Sequence, residues 1–166
     1  MIPSHPTASS FLAVVMQRLK ALCVFGLANF DSYCRVSGDC AGEWIGWGTG
    51  NEDLPVRGVA PNHWEFRSLD TTANVYLFAA ALIYAGTAGI KDEAALVHTD
   101  CQVVPSALTS EETEKQLLPF GITDRMLRCS IGSTLTKHYM DVKEREVGYF
   151  VQMTDEERQL KFLDYS

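Results

Sequence analysis

"HWEFRSLDTTANVYL", residues 63–77, joins a run of alternating residues to the start of an apolar helix. Successive side chains of a strand point to opposite faces, so His63, Glu65 and Arg67 share one side while Trp64 and Phe66 take the other. The aromatic pair suits a core. The ionisable row fits two readings: a half-solvated strand carrying a cross-face ion pair, or one wall of a binding cleft. Just downstream, Asp70 or Thr71 is placed to cap a helix over "TTANVYLFAAALIYAG" that stops at Gly86 or Gly89. That segment is apolar round most of its circumference, which predicts burial. The stretch from Val75 to Ile90 is too short for a bilayer span. Trp64, Phe66, Leu77, Leu82 and Ile83 are the expected core between strand and helix.

Upstream, "EWIGWGTGNEDLPVRGVAPNHWEFRSLD" reads as short strands broken by Gly, Pro and Asn turn residues. Within it "VRGVAPNHWEFR" has the form of a hairpin, which brings Arg57 close to Glu65 and Arg67. Several guanidinium groups round one carboxylate suit an anionic ligand, because arginine offers fixed, bidentate donors to carboxylate and phosphate. A single Glu could serve as one ligand of a hard cation that bridges phosphate oxygens, but one carboxylate does not make a metal site. The spacing points to an anion site and names no reaction.

Further out, Ser9 or Ser10 is placed to cap "SFLAVVMQRLKALCV", a helix to about Val24 that is apolar except at Gln17, Arg18 and Lys20. Towards the C-terminus, Ser110 opens a short helix, "SEETEKQLL", and "TKHYMDVKEREVGYF" is a polar-faced one whose "KEREV" run reads as a solvated face. Thr154 and Glu157 form a capping box ahead of a last helix, "DEERQLKFL". The order helix, strands, helix, helices predicts an α+β domain, an antiparallel sheet packed by helices.

The 166 residues correspond to one domain or a large piece of one, with 46% hydrophobic and 21% charged residues, ordinary for a soluble globular chain. A formal net charge of -7 argues against nucleic acid and anionic membranes as partners, since both select basic patches. The five cysteines, Cys23, Cys34, Cys40, Cys101 and Cys129, include no C-x-x-C pair, so neither a disulfide framework nor a zinc site is indicated and reduced thiols in a cytoplasmic protein are expected. "MIPSHPTASS" lacks the basic-then-apolar order of a secretory signal. His5, His98 and His138 have no ligand-spaced partner and read as surface or capping residues. The His98–Cys101 pair lacks an orienting third group and is rejected as a nucleophile pair.

The central stretch also carries a resemblance. "WEFRSLDTTANVYLFAAALIYAGTAGI" closely resembles the glutamine synthetase signature, a Glu-x-Arg strand followed by Asp-x-(Ala/Thr)-Ala-Asn-x-Tyr-Leu and an Ala-rich helix. "ALCVFGLANFDSYCRV", "WGTGNEDLPVRGV", "VVPSALTSEE" and "TKHYMDVKEREVGYF" are similar to other segments of that family, so the likeness runs from about Ser9 onward. The "HWE" tryptophan and the "WGT" strand resemble fungal glutamine-synthetase-like proteins more than the housekeeping enzymes. The resemblance implies the C-terminal part of the catalytic domain over residues 9–166, a disordered stub over 1–8, and an N-terminal β-grasp domain absent from this stretch. It also implies a homo-oligomer in the full-length family and an ATP-dependent ligation of glutamate with ammonia through γ-glutamyl phosphate, using Mg²⁺ or Mn²⁺.

By the same resemblance Glu65 takes the metal position nearer the nucleotide phosphates, and Arg67 holds the side-chain carboxylate of glutamate. Arg35 holds the amino-acid end, Arg57 contacts phosphate in the catalytic step, and His63 stands on the nucleotide side where the family has Arg. Glu52 replaces another family arginine, and Cys34 a lysine. The flap glutamate has only Asp39 or Glu43 as counterparts, and the other metal carboxylates are not in this stretch. The alternative implied by these departures is a truncated, catalytically inactive relative with a role in assembly or signalling.

Overall fold

The computed structural model describes residues 5–29, 32, 44–119 and 133–164. Arg35, Cys34, Asp39, Cys40, Glu43 and Cys129 lie outside them.

Helix α1 (Pro6–Gln17) starts earlier than Ser9 or Ser10, because Pro6 presets the helical φ of the first turn. Its cap is His5, whose Nδ1 accepts from the Thr7 amide at 3.3 Å. Residues 6–8 are therefore helix and not a stub. The predicted single helix is two: after Arg18 the chain bends by 74° into α2 (Leu19–Gly26). The bend lets both arms bury their apolar residues in one core, with Leu12, Val15, Met16, Leu19, Leu22, Cys23 and Phe25 among its members. Burial pushes the Cys23 thiol up to about 12, with a Ser68 hydrogen bond acting weakly against it, so this sulfur is an inert core group.

The chain next forms β1 (Trp44–Ile45) and β2 (Trp47–Thr49), then the hairpin β3 (Val56–Ala60) and β4 (His63–Phe66). β3 and β4 are antiparallel with Arg57 opposite Glu65, a register shift between Gly58 and Ala60, and Asn62 in the left-handed conformation (φ 57) at the turn. The α+β class holds, but the sheet is mixed: β2 runs parallel to β3, Trp47 beside Val56 and Thr49 beside Gly58. A parallel return usually takes a dozen residues or more. Here the ladder is three residues long, so the loop from Gly50 to Pro55 can carry the chain back; Gly50 (φ 68) begins it, its amide donating to Gly58 O at 2.9 Å.

The free edge of β2 is sealed by the segment 98–103. Trp47 Nε1 donates to His98 O at 2.9 Å, Cys101 N donates to Trp47 O at 3.1 Å, and Thr49 donates from its amide and hydroxyl to Asp100 at 2.7 and 2.8 Å. Gly48 makes the approach possible, since a Cβ there would lie 1.9 Å from Cys101 O.

Helix α3 (Val75–Lys91) is capped by Asn74, whose Oδ1 accepts from the amides of Tyr76 and Leu77 at 3.1 and 3.2 Å. Asp70 instead closes a local turn, accepting from Thr72 N and Oγ1 at 2.8 and 2.7 Å. The helix passes through both glycines that the sequence suggested as stops. A Cβ at Gly86 would lie 2.0–2.3 Å from the Phe11 ring, and one at Gly89 2.1 Å from Ser10 O, so these glycines exist to let α1 and α3 touch.

Burial of α3 is one-sided. Phe78, Ala81, Ala85, Gly86 and Gly89 are buried, and Leu77 and Leu82 pack against the core as half-buried residues, as do Trp64 and Phe66. Ile83 is 56% exposed and leaves the predicted core, because it lies two residues, about 200°, round the helix from Ala81. Among the described residues no single helix is long and apolar enough to cross a membrane; α1 and α2 reach the length only as a bent pair, and their apolar side chains fill the core.

Helix α4 (Ser110–Gln116) is capped one residue before Ser110, by Thr109 in a capping box with Glu112. β5 (Leu118–Pro119) pairs antiparallel with β1. Helix α5 (Ser133–Phe150) docks on the end of α2, with Tyr139 Oη donating to Val24 O at 2.7 Å and its ring 5.0 Å from that of Phe25. Lys143, expected on a solvated face, donates to Ala28 O and pairs with Glu146, a cation placed on the carbonyls beyond the C-terminus of α2. Helix α6 (Asp155–Asp164) follows the predicted Thr154–Glu157 box, Thr154 N donating to Glu157 Oε2 at 2.8 Å.

Candidate anion-binding site on the β3–β4 hairpin

Alternation along β4 follows the sequence expectation. His63 and Glu65 are exposed, while Trp64 and Phe66 are partly buried against the core. The same antiparallel register carries Arg57 of β3 to the position opposite Glu65. Beyond the end of β4, Arg67 N donates to Pro55 O at 2.9 Å, which prolongs the ladder and keeps the arginine on the face of Glu65.

The carboxylate sits between two guanidinium groups. Arg57 Nη1 lies 3.3 Å from Glu65 Oε2, and Arg67 Nε lies 3.8 Å from Glu65 Oε1. Arg57 Nη1 is also 3.1 Å from Glu52 Oε1, which reaches it from the β2–β3 loop. The arginine side chains are 32% and 24% exposed and those of Glu52 and Glu65 65% and 47%, so water screens the carboxylates more than the cations. Two N–H donors are left over: Arg57 Nε and Arg67 Nη1 are buried and have no acceptor among the described residues. A buried guanidinium N–H without an acceptor is costly, and an anionic oxygen would satisfy it.

The geometry therefore brings Arg57, Glu65 and Arg67 together as the sequence implied. His63 lies opposite Ala60, exposed at the turn end of the same face, and Arg35 is outside the described residues. The contact that sequence reasoning missed is Glu52 on Arg57. Its only signal was the short β2–β3 connection, which a parallel pairing turns back towards Arg57.

His98 and Cys101, rejected as a nucleophile pair, are both buried beside β2. Burial lowers the His98 pKa and raises that of Cys101, whose Sγ donates to Val103 O at 3.3 Å. They hold the strand edge.

A divalent cation fits this face less well than an anion does. Both Glu65 oxygens are turned to guanidinium groups, and the described residues contain no group of three or more His, Cys, Asp or Glu able to hold a metal. Near-octahedral Mg²⁺ asks for several oxygen ligands, and Glu65 alone does not supply them.

An α+β domain that turns two arginines and a carboxylate outward from one hairpin is suited to anionic ligands. This chain belongs to the glutamine synthetase family, matching the model of the glutamine synthetase catalytic domain over residues 4–161. It is 38% identical to Protein fluG of Emericella nidulans over 172 residues, a match covering 93% of this chain and 19% of fluG. It is 27% identical to the glutamine synthetase of Thermococcus kodakarensis over 88% of this chain and 36% of that one, and 29% identical to that of Methanocaldococcus jannaschii over 96% and 38%.

Among solved structures, GmaS in complex with ADP superposes with a TM-score of 0.72 at 25% identity, covering 95% of this chain and 40% of GmaS. Apo GmaS gives 0.73 at 26% identity, covering 93% of this chain and 38% of that one. The chain thus spans under two-fifths of the curated relatives it matches.

Proposed function

We propose that the domain takes part in ATP-dependent carboxylate–amine ligation, joining glutamate and ammonia to form glutamine. The observation that carries this reading is the pair of buried donors, Arg57 Nε and Arg67 Nη1, that have no acceptor among the described residues and belong to the two arginines flanking Glu65. Membership of the glutamine synthetase family and the ADP bound by the structural relative GmaS support a nucleotide as one ligand.

In the proposed reaction a side-chain carboxylate oxygen of glutamate attacks the γ-phosphorus of ATP, and the bond to the bridging oxygen breaks with its electron pair leaving on ADP. Ammonia then attacks the acyl carbon of γ-glutamyl phosphate, phosphate departs, and the ammonium proton is lost to solvent. Arg67 orients the glutamate carboxylate and Arg57 draws charge from the transferring phosphoryl group, both as fixed guanidinium donors. In this reading His63 serves the nucleotide and Arg35 the amino-acid end of glutamate. Glu65, although both its oxygens face guanidinium groups here, would be the one carboxylate this face could offer to a Mg²⁺ or Mn²⁺ ion, which would neutralise phosphate charge.

The test is phosphate release by the full-length protein with ATP, Mg²⁺, glutamate and ammonia. Arg67→Ala should raise the glutamate concentration needed for half-maximal rate, and Arg57→Ala should lower the maximal rate. Glutamate-dependent release unchanged in both variants would overturn the reading. A second reading, an inactive relative acting through assembly or signalling, is favoured by one observation, the hold of Glu52 on Arg57. It expects no glutamate-dependent release from the wild-type protein.

A further inference from the structure

We infer that Glu52 attenuates anion binding at this site: by occupying one side of Arg57 it competes with any anion offered to that guanidinium. The inference rests on the reading of Arg57 as a phosphate contact and adds to it an internal competitor.

Arg57 Nη1 bridges two carboxylates of different origin. Glu65 is its partner across the hairpin, fixed by strand register, whereas Glu52 arrives from the loop between β2 and β3 at 3.1 Å. That loop is anchored on both sides of Glu52. Asn51 is buried, its amide nitrogen donating to Cys101 O and Val103 O at 2.9 Å each, and its Oδ1 accepts from Asp53 N at 3.0 Å. The backbone thus holds Glu52 beside Arg57 while its side chain remains 65% exposed. An exposed ion pair of this kind contributes little to stability, so the carboxylate can swing away into water at small cost.

The consequence is electrostatic. On this face the two arginines are balanced by two carboxylates, so an incoming anion meets no net positive charge until Glu52 moves. Removing that one negative charge, a few ångströms from where the anion would bind, should tighten binding by about tenfold. Glu52 takes only Nη1 of Arg57, and Nε has no acceptor among the described residues in either case, which is why the site is attenuated and not abolished.

The experiment uses the whole chain as wild type, Glu52→Gln, Arg57→Gln and the double variant, titrated with inorganic pyrophosphate and followed by calorimetry. Circular dichroism establishes that each variant is folded. Glu52→Gln should bind pyrophosphate about tenfold more tightly than wild type, and the double variant should lose that gain. Equal or weaker binding by Glu52→Gln, or no binding by either protein, would overturn the proposal, as would a gain that survives in the double variant. The readout is separate from the ligase reading: that one fails on glutamate-dependent phosphate release, this one on pyrophosphate affinity.

Discussion

The α1–α3 seam and the β3–β4 face lie in one small domain and follow opposite rules. At the seam, backbone and ring atoms come so close that glycine is required at 86 and 89, and the neighbouring Leu12, Val15 and Met16 are fully buried. On the hairpin face two arginine donors have no acceptor among the described residues and the carboxylates stand half in water. The seam spends its contacts on holding the fold. The face leaves donors open, which costs stability and leaves them free for a ligand. Substitutions at the seam should therefore move stability, and those on the face should move binding.

The strongest challenge to that contrast is Leu12→Ala. Leu12 has no exposed surface and lies in the core between α1, α2 and α3. Truncation removes its transfer free energy and leaves a cavity, so the expected loss is about 2–5 kcal/mol in denaturant unfolding. A loss below about 1 kcal/mol would mean that the seam is not where stability resides.

Gly89→Ala should come next, and here two effects oppose. Alanine in a helix interior favours folding by about 1 kcal/mol over glycine. Against that, the new methyl would sit 2.1 Å from Ser10 O, a backbone atom that cannot turn aside. Overpacking costs about 1–3 kcal/mol, so the net should be destabilising by up to about 2 kcal/mol. A rise in Tm would show that α1 and α3 can separate without penalty.

The clamp on β2 lies between the two regimes. Burial works to raise the Asp100 carboxyl, but hydrogen bonds from Gln102 and from the Thr49 amide and hydroxyl outweigh it and hold the pKa below the ordinary carboxylate range. A depressed folded pKa stabilises above the unfolded value, and the contribution disappears as pH falls through the folded one. Asp100→Ala should cost about 1–2 kcal/mol at neutral pH, since it strands the Thr49 donors, and that difference should shrink in acid below the carboxylate range. A cost that is flat with pH would place the effect in packing and not in the carboxylate.

Legibility in the sequence followed the range of the forces. The hairpin was readable because strand alternation and the turn are local, and with it came the meeting of Arg57, Glu65 and Arg67. The Thr154–Glu157 box was readable for the same reason. Gly86 and Gly89 were misread as stops because local propensity cannot see Phe11 and Ser10 on another helix. Ile83 was misplaced because an apolar helix gives no phase when nearly every position is apolar. The Asp100 clamp joins residues 51 apart, for which a single sequence holds no marker. The β2–β3 pair is close in sequence but reads as a hairpin, because so short a connection ordinarily joins antiparallel strands. Lys143 hid in a charged run for the same reason.

The smallest expected effect on stability is also the sharpest statement of the contrast. Glu65→Gln keeps the shape of the side chain and removes the charge between Arg57 and Arg67. Because Glu65 is about half exposed and its pairs are 3.3 and 3.8 Å long, the ion pairs should contribute only about 0–1 kcal/mol. For a domain of this size that corresponds to a shift in Tm of at most about 2–4 °C. The amide oxygen can turn to Arg67 while Arg57 keeps Glu52, so neither guanidinium loses its last carboxylate or amide partner on this face. Yet the same substitution changes the charge of the whole face by one unit, and in the full-length protein it removes the carboxylate proposed to meet the metal. Turnover should fall to background while the unfolding curve scarcely moves. If Glu65→Gln instead lost several kcal/mol and kept its activity, the hairpin face would be a structural ion-pair strand, and the division between a holding seam and a binding face would be wrong.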